Sequence, residues 1–73
     1  MPLMNRLREL RARDGLSQGE LGQLAGVSRQ TISLIERGDY SPSVTLAIKL
    51  SAILKTTVEE LFSYISEGEE NHE

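Results

Sequence analysis

Apolar residues along this chain recur at helical intervals, and no stretch alternates for the length of a strand. Leu3, Leu7 and Leu10 fall at i, i+4 and i+7 among four arginines, which predicts a first helix closed at Asp14-Gly15. Glycine suits the left-handed position that follows a helix, and Leu16 is expected to pack back onto it. Ser17 and Glu20 have the spacing of a capping box, in which a hydroxyl accepts from the backbone N–H three residues on and the carboxylate reaches back. They open a second helix whose expected buried stripe is Leu21, Leu24 and Ala25. Gly19 and Gly22 each weaken that helix by about 1 kcal/mol relative to alanine, so its neighbours must hold it. Gly26 stops it and Ser28 caps the next, leaving a very short turn.

Within Ser28–Arg37, Ile32 and Ile35 face one way, while Arg29, Gln30 and Ser33 face another. Gly38 ends this third helix, and Asp39-Tyr40-Ser41-Pro42 reads as a loop. Ser43 caps a fourth helix running to Leu54, in which Thr45, Lys49 and Ala52 form one narrow strip and the remainder, apart from Ser51, is apolar. A helix apolar over so wide an arc lies at the centre of a fold or shares a side with another subunit. Thr57-Val58-Glu59-Glu60 repeats the capping pattern and opens a short fifth helix with Leu61, Phe62 and Ile65. The expectation is an all-α, five-helix domain over residues 1–66. An acidic tail, 67–73, has no apolar residue to bury and is expected to be disordered.

A chain of 73 residues makes one domain and buries only about 60% of the surface its unfolded form exposes. It has no cysteine, so disulfides and thiolate metal sites are excluded, and close packing or self-association must supply stability. No apolar stretch approaches the roughly 18 residues of a membrane span. The arginine-rich start lacks the apolar run of a signal peptide, and a cytoplasmic protein is expected. The net charge of −3 conceals an uneven distribution: residues 1–58 hold all eight Lys and Arg against five carboxylates, net +3, whereas residues 59–73 hold six glutamates and no base. A basic body leaves a nucleic-acid partner open despite the acidic total.

Two short helices joined across a tight glycine-containing turn have the form of a helix-turn-helix unit. The second of them carries Arg29-Gln30-Thr31 in its first turn, the part of a base-reading helix that enters the major groove most deeply. Arginine pairs bidentately with guanine, and glutamine with adenine. Taken as residues alone, Arg29 and Gln30 fit a solvated helix face equally well. Arg6 and Arg8 read as a solvated amphipathic face, and Arg13 is assigned to neither role. His72 stands alone with no second ligand at metal spacing. Glu59 and Glu60 favour the start of the fifth helix through its macrodipole. Nothing in the sequence has the form of a nucleophile with its base, a phosphate-cradling glycine loop or a metal cluster, so neither an enzyme nor a cofactor is expected.

Residues 5–62 resemble the phage repressor and Cro-like, or Xre-type, helix-turn-helix regulators. The matching text is Leu16-Ser17-Gln18-x-Glu20-Leu21, Gly26 through Ser33, Ile35-Glu36-x-Gly38, Tyr40-x-Pro42-Ser43 and Glu59-Glu60-Leu61-Phe62. The resemblance implies a lambda-repressor-like fold that binds double-stranded DNA. By position it implies base contacts at Arg29 and Gln30, and Ser33 and Leu34 are expected beside them. It implies phosphate contacts at Gln18 and Arg37 and an ion pair between Arg11 and Glu36; further phosphate contacts are expected at Ser28, Thr31, Ser41 and Ser43. Leu34 stands where relatives often carry a polar residue, and it could meet a thymine methyl or simply lie exposed. Gly22 stands where relatives usually have alanine.

Leu46, Ile53, Val58 and Phe62 exceed what so small a core is expected to cover. With Tyr64 and Ile65 they are the expected two-fold interface of a homodimer; the alternative is that one subunit buries them all. The expected function is a transcriptional regulator, a repressor, acting as a dimer on a near-palindromic operator. A protein-interaction module, such as an antitoxin or adaptor that grips a protein partner with the acidic tail, is the alternative.

Overall fold

The computed structural model describes residues 3–64; the expectations placed on Ile65 and on the acidic run 67–73 lie outside that range. In chain order the described elements are β1 (Leu3–Asn5), α1 (Leu7–Arg13), α2 (Gln18–Ala25), α3 (Arg29–Glu36), α4 (Val44–Ile53), α5 (Val58–Leu61) and β2 (Phe62–Tyr64). The described residues are mostly helical, but the two ends of that stretch pair in an antiparallel ribbon. Leu3 pairs with Tyr64, Met4 with Ser63 and Asn5 with Phe62. The all-α expectation is corrected there: Leu3 belongs to a strand and not to α1, and Phe62 leaves the fifth helix. Strands of three residues are too short to alternate visibly, and their partners lie at opposite ends of the chain.

Asn5 joins the ribbon to the helices. Its side-chain amide donates to the Ile35 carbonyl at the end of α3 (2.9 Å), and its Oδ1 accepts from the Leu7 N–H at the start of α1 (3.0 Å). Helix starts follow local chemistry. Ser17, Ser28, Ser43 and Thr57 each accept from the backbone N–H three residues on, and Glu20 completes a capping box by accepting from the Ser17 N–H.

Four helices end in one way. Leu16 N–H to Arg11 O, Val27 N–H to Gly22 O, Asp39 N–H to Leu34 O and Thr56 N–H to Ser51 O are each the long hydrogen bond of a Schellman motif. The left-handed residue it requires is Gly15, Gly26 and Gly38 in the first three, and Lys55, at φ 57°, in the fourth.

The core is built from Leu7 and Leu10 of α1, Leu21 and Ala25 of α2, Ile32 and Ile35 of α3, and the inner face of α4, closed by Leu61 and Phe62. Two expectations change here. Leu24 is 59% exposed, whereas Gly22 is buried. With Leu21, Gly22 and Ala25 turned inward, Leu24 lies about 105° around the helix from their centre, at 3.6 residues per turn. Gly22 is buried because α2 meets the next segment there: a Cβ on it would stand 2.7 Å from the Val27 carbonyl oxygen. Leu46 and Phe62, expected at a subunit interface, are 7% and 8% exposed and belong to this chain's own core.

Candidate nucleic-acid interface

The turn between α2 and α3 is Gly26-Val27-Ser28, and its compactness follows from the left-handed Gly26 and the Ser28 cap. Ile32 and Ile35 are buried against the core, so the opposite face of α3 points outward. Arg29 and Gln30 are both exposed on that face, and Ser33 and Leu34 are half-buried. Gln18, Arg29, Gln30 and Ser33 line one polar concavity of about 400 Å³. Four residues proposed from sequence, on two helices, are thereby brought together around the start of α3.

The electrostatics of this surface depend on which cations are already neutralised. Arg6 pairs with Glu9 at 2.9 Å, Arg13 with Asp14 at 2.9 Å and Arg37 with Asp39 at 3.3 Å, all at the surface. Hydrogen bonds from Arg6 and Arg13 hold the Glu9 and Asp14 carboxyls below their ordinary pKa. Arg13 also donates to the Leu54 carbonyl at 2.6 Å, which makes it a structural tie between α1 and the end of α4. Among the described residues, Arg11 and Glu36 form the one ion pair with little exposure, at 2.6 Å and with side chains 16% and 6% exposed. Arg11 donates twice to Glu36 and once to the Leu16 carbonyl. The hydrogen bond to Glu36, and then its charge, raise the Arg11 pKa further, against the opposing effect of burial. Among the described residues, Arg8, Arg29, Lys49 and Lys55 have no carboxylate within ion-pair distance.

The remaining sequence-proposed residues are placed as follows. The Ser28 hydroxyl accepts from the Thr31 N–H and lies 3.0 Å from the Thr31 hydroxyl. Ser41 is exposed in the loop, and Ser43 caps α4. Ile53 and Val58 are half-buried, and Tyr64 is 57% exposed. Two residues that the sequence reading passed over stand out on α4: Val44 at 77% and Ile48 at 56% exposure. They border an apolar groove of about 220 Å³ with Leu3, Pro42, Val58 and Phe62. The signal was the wide apolar arc of α4, which carried more hydrophobic positions than its inner face could use. Tyr40 and Lys49 were likewise given no role, and both border a second concavity beside α3.

No group of three or more His, Cys, Asp or Glu that could hold a metal occurs among the described residues. Nor is any helix among them long and apolar enough to cross a membrane.

Comparison with known proteins agrees with this geometry. Residues 7–61 match the family model described as helix-turn-helix. The chain is 47% identical over 60 residues to the uncharacterized HTH-type transcriptional regulator YgzD of Bacillus subtilis (strain 168), covering 82% of this chain and 91% of that one. Among solved structures it is similar to the restriction-modification controller protein C.AhdI from Aeromonas hydrophila, with TM-score 0.72, 42% identity and coverage of 78% and 86% of the two chains. It is also similar to the P22 c2 repressor solved in complex with a synthetic operator, with TM-score 0.72, 31% identity and coverage of 74% and 82%.

Proposed function

We propose, from the premise that this chain belongs to the helix-turn-helix family of DNA-binding transcriptional regulators, that it is a repressor that lays α3 in the major groove of a near-palindromic operator. It is a regulator and not an enzyme. The observation that carries the reading is the exposure of Arg29 and Gln30 beside Gln18 in one polar concavity. An arginine with no carboxylate partner keeps its paired donors for a guanine edge, and the neighbouring glutamine offers the donor–acceptor pair that adenine matches. Ser33 and Leu34 follow one turn later and border the same groove. Gln18, Ser28, Thr31, Arg37, Ser41 and Ser43 hold phosphates around it. Arg37 exchanges Asp39 for a phosphate at little cost, because that ion pair is solvent-exposed. The cytoplasm is its place of work.

The repressor acts as a homodimer. The groove bordered by Val44, Ile48 and Val58 is apolar, and Val44 and Ile48 are too exposed to contribute to the subunit's own core. A second copy related by a two-fold axis covers such a patch with the same patch. Val58 and Phe62 border this groove, and Tyr64 pairs with Leu3 beside it; Leu46 and Ile53 lie about 160–180° around α4 from Val44 and Ile48 and take no part. A two-fold axis through this groove relates two copies of α3. Their half-sites lie about 34 Å apart, one turn of DNA. Selection of bound sequences from a random duplex pool tests the proposal. Inverted half-sites at one-turn spacing are expected; recovered sequences with no common motif contradict it.

A further inference from the structure

We infer that Lys49, with the Tyr40 hydroxyl, holds a DNA backbone phosphate on the strand opposite the one met by Gln18; this rests on the reading of α3 as the helix in the major groove. The starting observation is a second concavity of about 300 Å³, bordered by Thr31, Tyr40, Ser43, Thr45 and Lys49. Thr31 lies about 150° around α3 from the mean direction of Arg29, Gln30 and Ser33, at 3.6 residues per turn. The two concavities therefore flank the same helix. An α-helix with its side chains is about 10–12 Å wide, and the major groove is about 12 Å wide, so phosphates run along both sides of a helix lying in it. Gln18 serves one side, next to the base-reading Arg29. A cation on the other side completes the hold.

Lys49 is the basic residue on that second concavity. It comes from the strip Thr45, Lys49 and Ala52, which is exposed along α4. Arg6, Arg11 and Arg13 are paired with carboxylates, and Arg37, which can exchange Asp39 for a phosphate, does not border this concavity. Of the four basic residues without one among the described residues, Arg29 and Lys49 are the two that border the concavities beside α3. Tyr40, 47% exposed, adds a hydroxyl at the rim. A phosphate there accepts a charge-assisted bond from the ammonium and a neutral one from the phenol. The competing role for Lys49 is structural. Its Nζ is 3.9 Å from where a Cβ on Gly26 would stand, beside the C-terminal end of α2, which has no basic residue in its last turn. A cation there is favoured by the helix dipole.

Salt dependence separates the two roles. The full chain, as wild type, Lys49→Gln, Lys49→Arg and Tyr40→Phe, is titrated with the duplex recovered by selection and with an unrelated duplex of equal length, between about 50 and 200 mM salt. Lys49→Gln is expected to weaken both duplexes by a similar factor, and to flatten log K against log[salt] by about 1 per bound protomer. Lys49→Arg keeps the wild-type slope, and Tyr40→Phe weakens both duplexes without changing the slope. A wild-type slope in Lys49→Gln overturns the phosphate site, whatever its melting temperature, and leaves Lys49 to the end of α2. Failure of the wild type to bind either duplex instead overturns the reading of α3, and this proposal with it.

Discussion

The Gln18 side-chain amide donates to Glu36 Oε1 at 3.0 Å, on the same carboxylate that Arg11 grips from α1. The residue proposed to hold a phosphate at the start of α2 is thus built onto an ion pair between α1 and α3. Among the described residues the Gln18 amide makes no other hydrogen bond, and its position is set by an ion pair between two other helices. Pre-orientation of this kind lowers the entropy lost on binding.

Stability and binding should therefore respond differently at this cluster. Glu36→Ala leaves a mostly enclosed guanidinium without its counter-charge, a loss of about 3–5 kcal/mol. That is a large part of the roughly 5 kcal/mol available to a small domain. Arg11→Met combined with Glu36→Leu is expected to recover most of that stability, because an apolar pair of similar volume removes the buried charge altogether. The double variant should still bind operator more weakly than the wild type, since Gln18 has lost its anchor. Urea melts alongside binding titrations check both halves.

Lys55 offers a gain in stability. It holds the left-handed position that ends α4, where a side chain costs about 1–2 kcal/mol relative to glycine. Lys55→Gly is expected to stabilise the protein by about 1 kcal/mol and to raise Tm by roughly 4–8 °C. Thermal melts at fixed protein concentration measure it. An unchanged or lower Tm contradicts the assignment of strain to this residue.

The apolar groove gives a prediction about assembly. Ile48 is more than half exposed, so Ile48→Glu should leave the subunit folded while placing a charge opposite its own copy across the two-fold axis. At one concentration, sedimentation is expected to show a dimer for the wild type and a monomer for the variant, with unchanged far-UV circular dichroism. Operator binding should weaken because the two half-sites are no longer engaged together.

What the sequence made visible was local. Ser17, Ser28, Ser43 and Thr57 announce helix starts because capping needs one hydroxyl and a backbone N–H three residues on. The glycines at 15, 26 and 38 announce helix ends for an equally local reason. The ribbon was hidden because Leu3 and Tyr64 pair from opposite ends of the chain, leaving no periodicity in either short segment. Leu24 misled because its spacing is helical; its direction was decided by the close approach at Gly22, where only a missing side chain fits. In the candidate site, the Ser28 cap placed Arg29 and Gln30 in the first turn of α3, but their chemistry fits a solvated face equally well, and only the family resemblance singled them out. The Gln18–Glu36 bond and the concavity at Lys49 depend on how α2, α3 and α4 pack, and no single segment encodes that.

Base reading by α3 is tested by one titration series. Wild type and Arg29→Ala are compared on the selected duplex and on the duplexes that carry each single base-pair change within a half-site. Arg29→Ala is expected to lose about 1–3 kcal/mol on the selected duplex and to lose its preference at one base pair per half-site, with discrimination elsewhere intact. A uniform loss over every duplex would contradict the assignment and make Arg29 a phosphate contact.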